Sequence, residues 1–294
     1  MIKNDNIKGH IFALFTVLIW GITFVSTKVI LKALSPIEII IYRYVIGYIC
    51  LWAMYPKKIE FMGFRQELPF ILCGILGTSL YQSMENIALT YTQASNVSII
   101  ISCIPFFTGI LAKFVFGEKI RKSFVVGFII AIAGIILVNI NGSVILKLNP
   151  LGDLLALIAA LFWAMYTIVI NFVNKKNINV LGATRRIFFY GVLSTIPLMF
   201  FGDFSLNSIY ELKNPEIILN VLFLGIAASS VCFVTWNYAV KKIGSVKTSI
   251  YNYLNPVVTL IFSIIILDEK LGVLGFLGII LVILGLIISS GLKK

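Results

Sequence analysis

Apolar runs of about twenty residues follow one another along this chain, parted by short connections that hold most of its Lys and Arg. At 1.5 Å rise per residue, a helix of that length crosses the roughly 30 Å hydrocarbon core of a bilayer. In hydrocarbon, only helices and closed barrels satisfy their own backbone groups. The expectation is therefore an all-α polytopic membrane protein. Ten runs read as spans: 10–33, 36–55, 68–91, 94–117, 122–141, 151–174, 178–201, 217–240, 244–267 and 271–290. The longest connection, 202–216, leaves no room for a soluble domain. Of the 294 residues, 60% are hydrophobic and 12% charged, about half the charged share of a soluble chain. No small-x-small cleavage site follows the first apolar run, so that run is expected to be a retained span.

The basic residues orient the chain. With the N-terminus in the cytoplasm, inside segments hold Lys3, Lys8, Lys57, Lys58, Arg65, Lys119, Arg121, Lys122, Lys175, Lys176, Lys241, Lys242, Lys247, Lys293 and Lys294, which is 15. Outside segments hold only Lys32, Lys147, Lys213 and Lys270, which is 4. Both termini are expected to be cytoplasmic, in a multi-pass protein of the cell (inner or plasma) membrane. The net charge of +12 is explained by these flanks and by anionic lipid, so no nucleic-acid partner is expected.

The spans repeat. A shift of 143 carries Gly9, Ala13, Trp20 and Arg43 onto Gly152, Ala156, Trp163 and Arg186. A shift of 151 carries Asn86, Ala88, Pro105, Glu118, Gly127 and Gly134 onto Asn237, Ala239, Pro256, Glu269, Gly278 and Gly285. The difference of eight is a longer 202–216 connection. Five spans per copy is odd, so the second copy must enter from the other side. The expected architecture is two inverted five-helix repeats, residues 1–142 and 143–294.

Several residues carry the resemblance to a known family. They include Trp20-Gly21 with Lys28, Arg43, the stretch Asn86-Ile87-Ala88-Leu89-Thr90-Tyr91-Thr92, Ala94-Ser95-Asn96, Pro105, and Gly117-Glu118-Lys119 with Gly127 and Gly134. The second half supplies Trp163, Asn237, Pro256 and Asp268-Glu269-Lys270. Together they resemble a ten-span member of the drug/metabolite transporter superfamily with two EamA-type repeats. The resemblance implies a central cavity between the halves, lined mainly by spans 1, 3, 4, 6, 8 and 9. It also implies transport of amino acids, organic cations or other metabolites.

Polar groups inside apolar runs are functional candidates because hydrocarbon penalises them. Glu85 is the foremost, with Tyr81 one helical turn before it and Asn86 beside it. Trp20 and Trp163 lie near mid-membrane and are expected to line the cavity. Trp236 holds the place of Glu85 in the second copy, next to Asn237. Tyr251, Asn252 and Asn255 cluster before Pro256. These ten residues form the expected substrate site. Lys28, Arg43, Pro105, Arg186 and Pro256 are expected to be structural or gating. Arg43 and Arg186, as repeat mates, should then have equivalent surroundings. Lys28 is read as an ion-pair partner of Glu85 or as snorkelling outward, and Arg185 as snorkelling to the cytoplasmic face.

Cys50, Cys73, Cys103 and Cys232 show no CxxC spacing and read as packing residues, and His10 as helix-end packing. No cofactor and no metal site is expected. There is no HExxH, no GxSxG and no charged ring or carbonyl filter, so a membrane enzyme and a channel are the alternatives, and a non-enzyme is expected. The expectation is a secondary active transporter of a small amino acid or other amine-bearing or cationic metabolite, by alternating access, with efflux favoured over import. A coupling proton or cation is a candidate further partner. The protein is read as a monomer or homodimer in the lipid bilayer.

Overall fold

In a computed structural model of the chain, residues 2–57, 60–139, 149–176, 178–201, 203–267 and 273–290 are described. Lys58, Lys147, Asp268, Glu269, Lys270, Lys293 and Lys294 lie outside them. Every regular element among the described residues is a helix. The first part runs α1 (Ile2–Ile30), α2 (Pro36–Met54), α3 (Phe64–Gly74), a π-helical stretch Ile75–Leu80, α4 (Tyr81–Tyr91), α5 (Ala94–Ile101), α6 (Ile104–Phe116) and α7 (Lys122–Asn139). The second runs α8 (Pro150–Asn174), α9 (Val180–Thr195), the single turn α10 (Leu198–Phe201), a 3-10 stretch Leu206–Lys213 and α11 (Pro215–Leu222). It continues with a π-helical stretch Phe223–Val231, α12 (Cys232–Ile243), α13 (Ser245–Ser249), a 3-10 stretch Ile250–Leu254, α14 (Asn255–Leu267) and α15 (Val273–Ser290).

Local chemistry starts these helices where the residues suggest. Ser35 and Glu38 close a capping box on α2: Glu38 N donates to Ser35 Oγ at 3.3 Å, and Ser35 N to Glu38 Oε2 at 2.7 Å. Asn149 and Asn214 cap α8 and α11 ahead of Pro150 and Pro215. Pro105 lies in the first turn of α6, just past a break at 102–103. Pro256 lies in the first turn of α14, just past the 3-10 stretch. Each proline removes an amide the ladder would need, so both helices are interrupted there.

Six helical segments are long and apolar enough to cross a membrane: Asn6–Ile30, Pro36–Met54, Ala94–Phe116, Pro150–Asn174, Pro215–Ile243 and Ser245–Ile266. Two of the other four expected spans fall short for visible reasons. The helix through 64–91 is diluted by its polar stretch at Tyr81–Asn86. Helix α9 is short and ends ahead of Pro197. The apolar segments Lys122–Gly134 and Phe276–Ser289 belong to α7 and α15, helices of 18 residues each.

The packing pairs early helices with late ones. Helix α1 lies against α12 and α14, and α8 lies against α4 and α6. Helix α2 packs on the second π-helical stretch and α9 on the first, with α2 and α9 touching. Helices α7 and α15 meet along small residues: a Cβ placed on Gly127 would lie 2.6 Å from Gly285 O, and one on Gly134 2.7 Å from Gly278 O. Only glycine lets these backbones approach so closely.

Candidate functional site

The two halves meet at a cluster of aromatic rings. Trp20 of α1 and Trp163 of α8 pack edge to face, with centroids 5.0 Å apart and planes at 90°. Trp236 lies 5.0 Å from Trp20, Tyr81 lies 4.8 Å from Trp163, and Phe233 of α12 meets Trp163 at 5.4 Å. The second π-helical stretch matters here. Its wide turn presents the Ala228 carbonyl to Trp20 Nε1, which donates to it at 2.9 Å.

Among these rings is a small cavity of about 20 Å³, lined by Trp20, Thr23, Phe24, Arg43, Tyr81, Gln82, Glu85, Trp163, Phe233, Asn252 and Asn255. It has room for about one water. Glu85 is 2% exposed. Its carboxylate accepts from Gln82 Nε2 at 3.1 Å, and the Tyr81 phenol and Arg43 guanidinium are its electrostatic neighbours. Arg43 Nε donates to Ser229 Oγ at 2.6 Å. Asn255 Nδ2 donates to Asn252 Oδ1 at 3.2 Å. Three buried polar atoms in and beside the cavity have no partner: Trp163 Nε1, Trp236 Nε1 and Asn255 Oδ1. Buried groups left unpaired cost about 1–3 kcal/mol each, so a ligand that satisfied them would gain from doing so.

The expected site residues divide. Trp20, Tyr81, Glu85, Trp163, Asn252 and Asn255 line the cavity, and Trp236 packs on its tryptophans. Asn86 and Asn237 are occupied elsewhere. Asn86 Nδ2 donates to Pro36 O at 3.2 Å and its Oδ1 accepts from Gln82. Asn237 Oδ1 accepts from Tyr166 Oη at 2.7 Å, and its Nδ2 donates to Thr184 Oγ1 at 3.0 Å. Tyr251 turns away and is hydrogen-bonded to His10 Nδ1 at 2.8 Å. Thr23, Phe24, Arg43, Gln82 and Phe233 complete the lining. The signal for Gln82 was its place one turn before Asn86; nothing in the residue pattern singles out Phe233.

The basic residues need correction. Lys28 donates to the carbonyls of Leu89 and Thr92, the latter at 2.9 Å, so it caps the end of α4. It is an ion-pair partner of no acid among the described residues. Arg43 and Arg186 do not share surroundings: Arg43 faces the cavity, whereas Arg186 forms an ion pair with Glu67 at 2.8 Å and reaches Glu60 O. Glu67, the acid that meets Arg186, has Ile218 as its repeat mate, so Arg43 finds no acid at the equivalent place. Arg185 does not snorkel. It is buried and donates to the carbonyls of Tyr55 and Lys57, which replace water for it.

The EamA-like transporter family model matches residues 7–140 and again 150–291. The chain belongs to this family. It is 29% identical over 300 residues to an "Uncharacterized transporter" of Clostridium kluyveri, covering 98% of this chain and 94% of that protein. It is 27% identical over 301 residues to a "Probable amino-acid metabolite efflux pump" of Escherichia coli, covering 96% and 94%. A crystal structure 17% identical in sequence superposes with a TM-score of 0.74 over 99% of this chain and 97% of that one, a likeness of fold. The protein is thus a membrane transporter of the EamA family, built from apolar helices.

Proposed function

We propose that this protein is a secondary carrier of ten spans, arranged as two inverted five-helix repeats (1–142 and 143–294), that moves a small amine-bearing metabolite by alternating access. The observation that carries the reading is the central cavity. There a carboxylate and a guanidinium of the first half meet unpaired polar atoms of the second, within an aromatic cage built by both. The exchange of helix partners supports inverted repeats: α1 uses α12 and α14 where α8 uses α4 and α6. So does the pairing of Gly127 with Gly285 and Gly134 with Gly278, because it sets repeat mates head to tail. A cavity of about 20 Å³ holds no metabolite, so substrate binds a more open arrangement that the same rings then close upon.

The chemistry best suits a zwitterionic amino acid. Its ammonium would meet Glu85 and its carboxylate Arg43, with the side chain among the tryptophans. The printed name of the Escherichia coli relative points the same way. A monovalent organic cation is the second reading, favoured by the aromatic faces, worth about 2 kcal/mol when desolvated. A phosphorylated anion would want more convergent basic groups. Export across the cell's inner or plasma membrane is the proposed direction, with both termini cytoplasmic.

Counterflow in proteoliposomes, run on wild type and Glu85→Gln with a neutral amino acid, an organic cation and an organic phosphate, tests the substrate class. Saturable exchange of the first or second is expected, falling tenfold or more in the variant while the fold survives. Exchange of the phosphate alone, or no effect of the variant on any ligand, would sink the assignment. The orientation is tested separately by single cysteines at Lys213 and Lys242 in a Cys-free background. An impermeant reagent should label the first in intact cells and the second only after lysis, and the reverse pattern would overturn the topology.

A further inference from the structure

A cavity larger than the central one lies elsewhere in the molecule. A pocket of about 340 Å³ opens between the C-terminal end of α2, the connection that follows it and the side of α9. It shares no lining residue with the central cavity. Its polar wall is built by Arg185 and Arg186, 5% and 7% exposed. Arg186 is neutralised by Glu67, whose other oxygen accepts from Tyr190 Oη at 3.1 Å. Arg185 is different. Two of its five N–H donors reach the carbonyls of Tyr55 and Lys57, and no carboxylate among the described residues pairs with it. Lys57 stands beside it on the wall. With Glu67 already paired, Glu60 is the one other acid on the described lining against these two cations. The rim is apolar and open: Trp52, Phe61 and Phe189 are all exposed.

At the opposite end of α2 the connection after α9 is held down by hydrogen bonds. There Ser205 N donates to Glu38 Oε1 at 2.9 Å, and Tyr42 Oη lies 2.7 Å from Ser208 Oγ. The longer connection after α9 is thus fastened against α2, while the shorter one after α2 leaves the pocket beside α9 unfilled. An unfilled, net-positive pocket whose mouth is lined by exposed aromatics suits a ligand with a negative head and apolar chains. Basic pockets between membrane helices recognise phospholipid headgroups in this way.

We propose that this pocket binds the headgroup of an anionic glycerophospholipid of the facing leaflet, the phosphate on Arg185 and Lys57 and the acyl chains along Trp52, Phe61 and Phe189. Native mass spectrometry of the full-length protein in detergent tests it, with dioleoylphosphatidylglycerol, dioleoylphosphatidylcholine and inorganic phosphate as probes. One phosphatidylglycerol should stay bound at activation energies that strip phosphatidylcholine, and phosphate at millimolar concentration should not displace it. Lys57→Gln and Arg185→Gln should each lower its occupancy fivefold or more, while Lys175→Gln leaves it unchanged. Lys57 is exposed, so that variant carries the test should Arg185→Gln fail to fold. Equal retention of the two lipids, undiminished occupancy in Lys57→Gln, or displacement by phosphate would overturn the proposal, the last by marking a site for soluble anions.

Discussion

Trp20 and Trp163 occupy corresponding places in the two repeats and pack against each other, yet one indole is anchored and the other is not. Trp20 Nε1 donates to Ala228 O. The corresponding carbonyl for Trp163 belongs to Gly77, and it accepts instead from Tyr44 Oη at 3.4 Å. Tyr166 lies over that glycine, 2.6 Å from where a Cβ would stand, and Trp163 stacks on Tyr166 at 4.8 Å. Its N–H is left buried and unpaired. The same scaffold therefore anchors one tryptophan and leaves the N–H of its mate unpaired beside the cavity. Arg186 and Arg43 divide in the same manner, the first in an ion pair and the second on the cavity wall.

This division can be broken by substitution. The largest effect is expected at Arg186→Gln, which strands Glu67 in a buried place and should cost about 3–5 kcal/mol of stability, seen as a sharp loss of folded, monodisperse protein. Arg43→Gln should keep its folded yield and weaken amino acid binding instead; the opposite assignment of effects would erase the distinction. Next comes Gly134→Leu, which forces side-chain atoms into the Gly278 backbone at an overpacking cost of about 1–3 kcal/mol. A lowered melting temperature with substrate affinity retained is expected, and an unchanged melting temperature would mean that α7 and α15 do not meet there. The smallest effect separates the tryptophans. Trp20→Phe removes a hydrogen bond and should lower stability by about 1 kcal/mol. Trp163→Phe should leave the melting temperature unmoved and raise the dissociation constant of substrate a few-fold. Equal thermal shifts in the two variants would show that Trp163 is anchored after all.

How far these features could be read beforehand depends on the range of the interaction involved. The caps at Ser35, Asn149 and Asn214 and the breaks ahead of Pro105 and Pro256 depend on neighbours a few residues away, and the residue pattern shows them. The cluster of Trp20, Trp163, Tyr81 and Glu85 was also legible, because polar and aromatic residues deep in apolar runs have few other reasons to be there. Asn86 and Asn237 looked the same in the sequence but are bonded to Pro36 and Thr184 across helix interfaces, and only the packing reveals that. The burial of Arg185 depends on where the chain turns after α2, which no local pattern encodes. The part played by Phe233 was hidden because an apolar residue in an apolar run carries no signal.

The π-helical stretches Ile75–Leu80 and Phe223–Val231 each precede the helix that enters the cluster. A π turn holds one residue more than the regular helix, and one residue corresponds to about 100° around the axis. The azimuth of Glu85 is therefore set by chain length upstream as well as by its own surroundings. Straightening that stretch into an ordinary α-helix without removing a residue would rotate α4 by about 100° against α3. Every side chain would still be present, but the carboxylate would point away from Arg43. The extra residue of the π turn thus fixes which face of α4 lines the cavity, and no substitution within α4 can reproduce that.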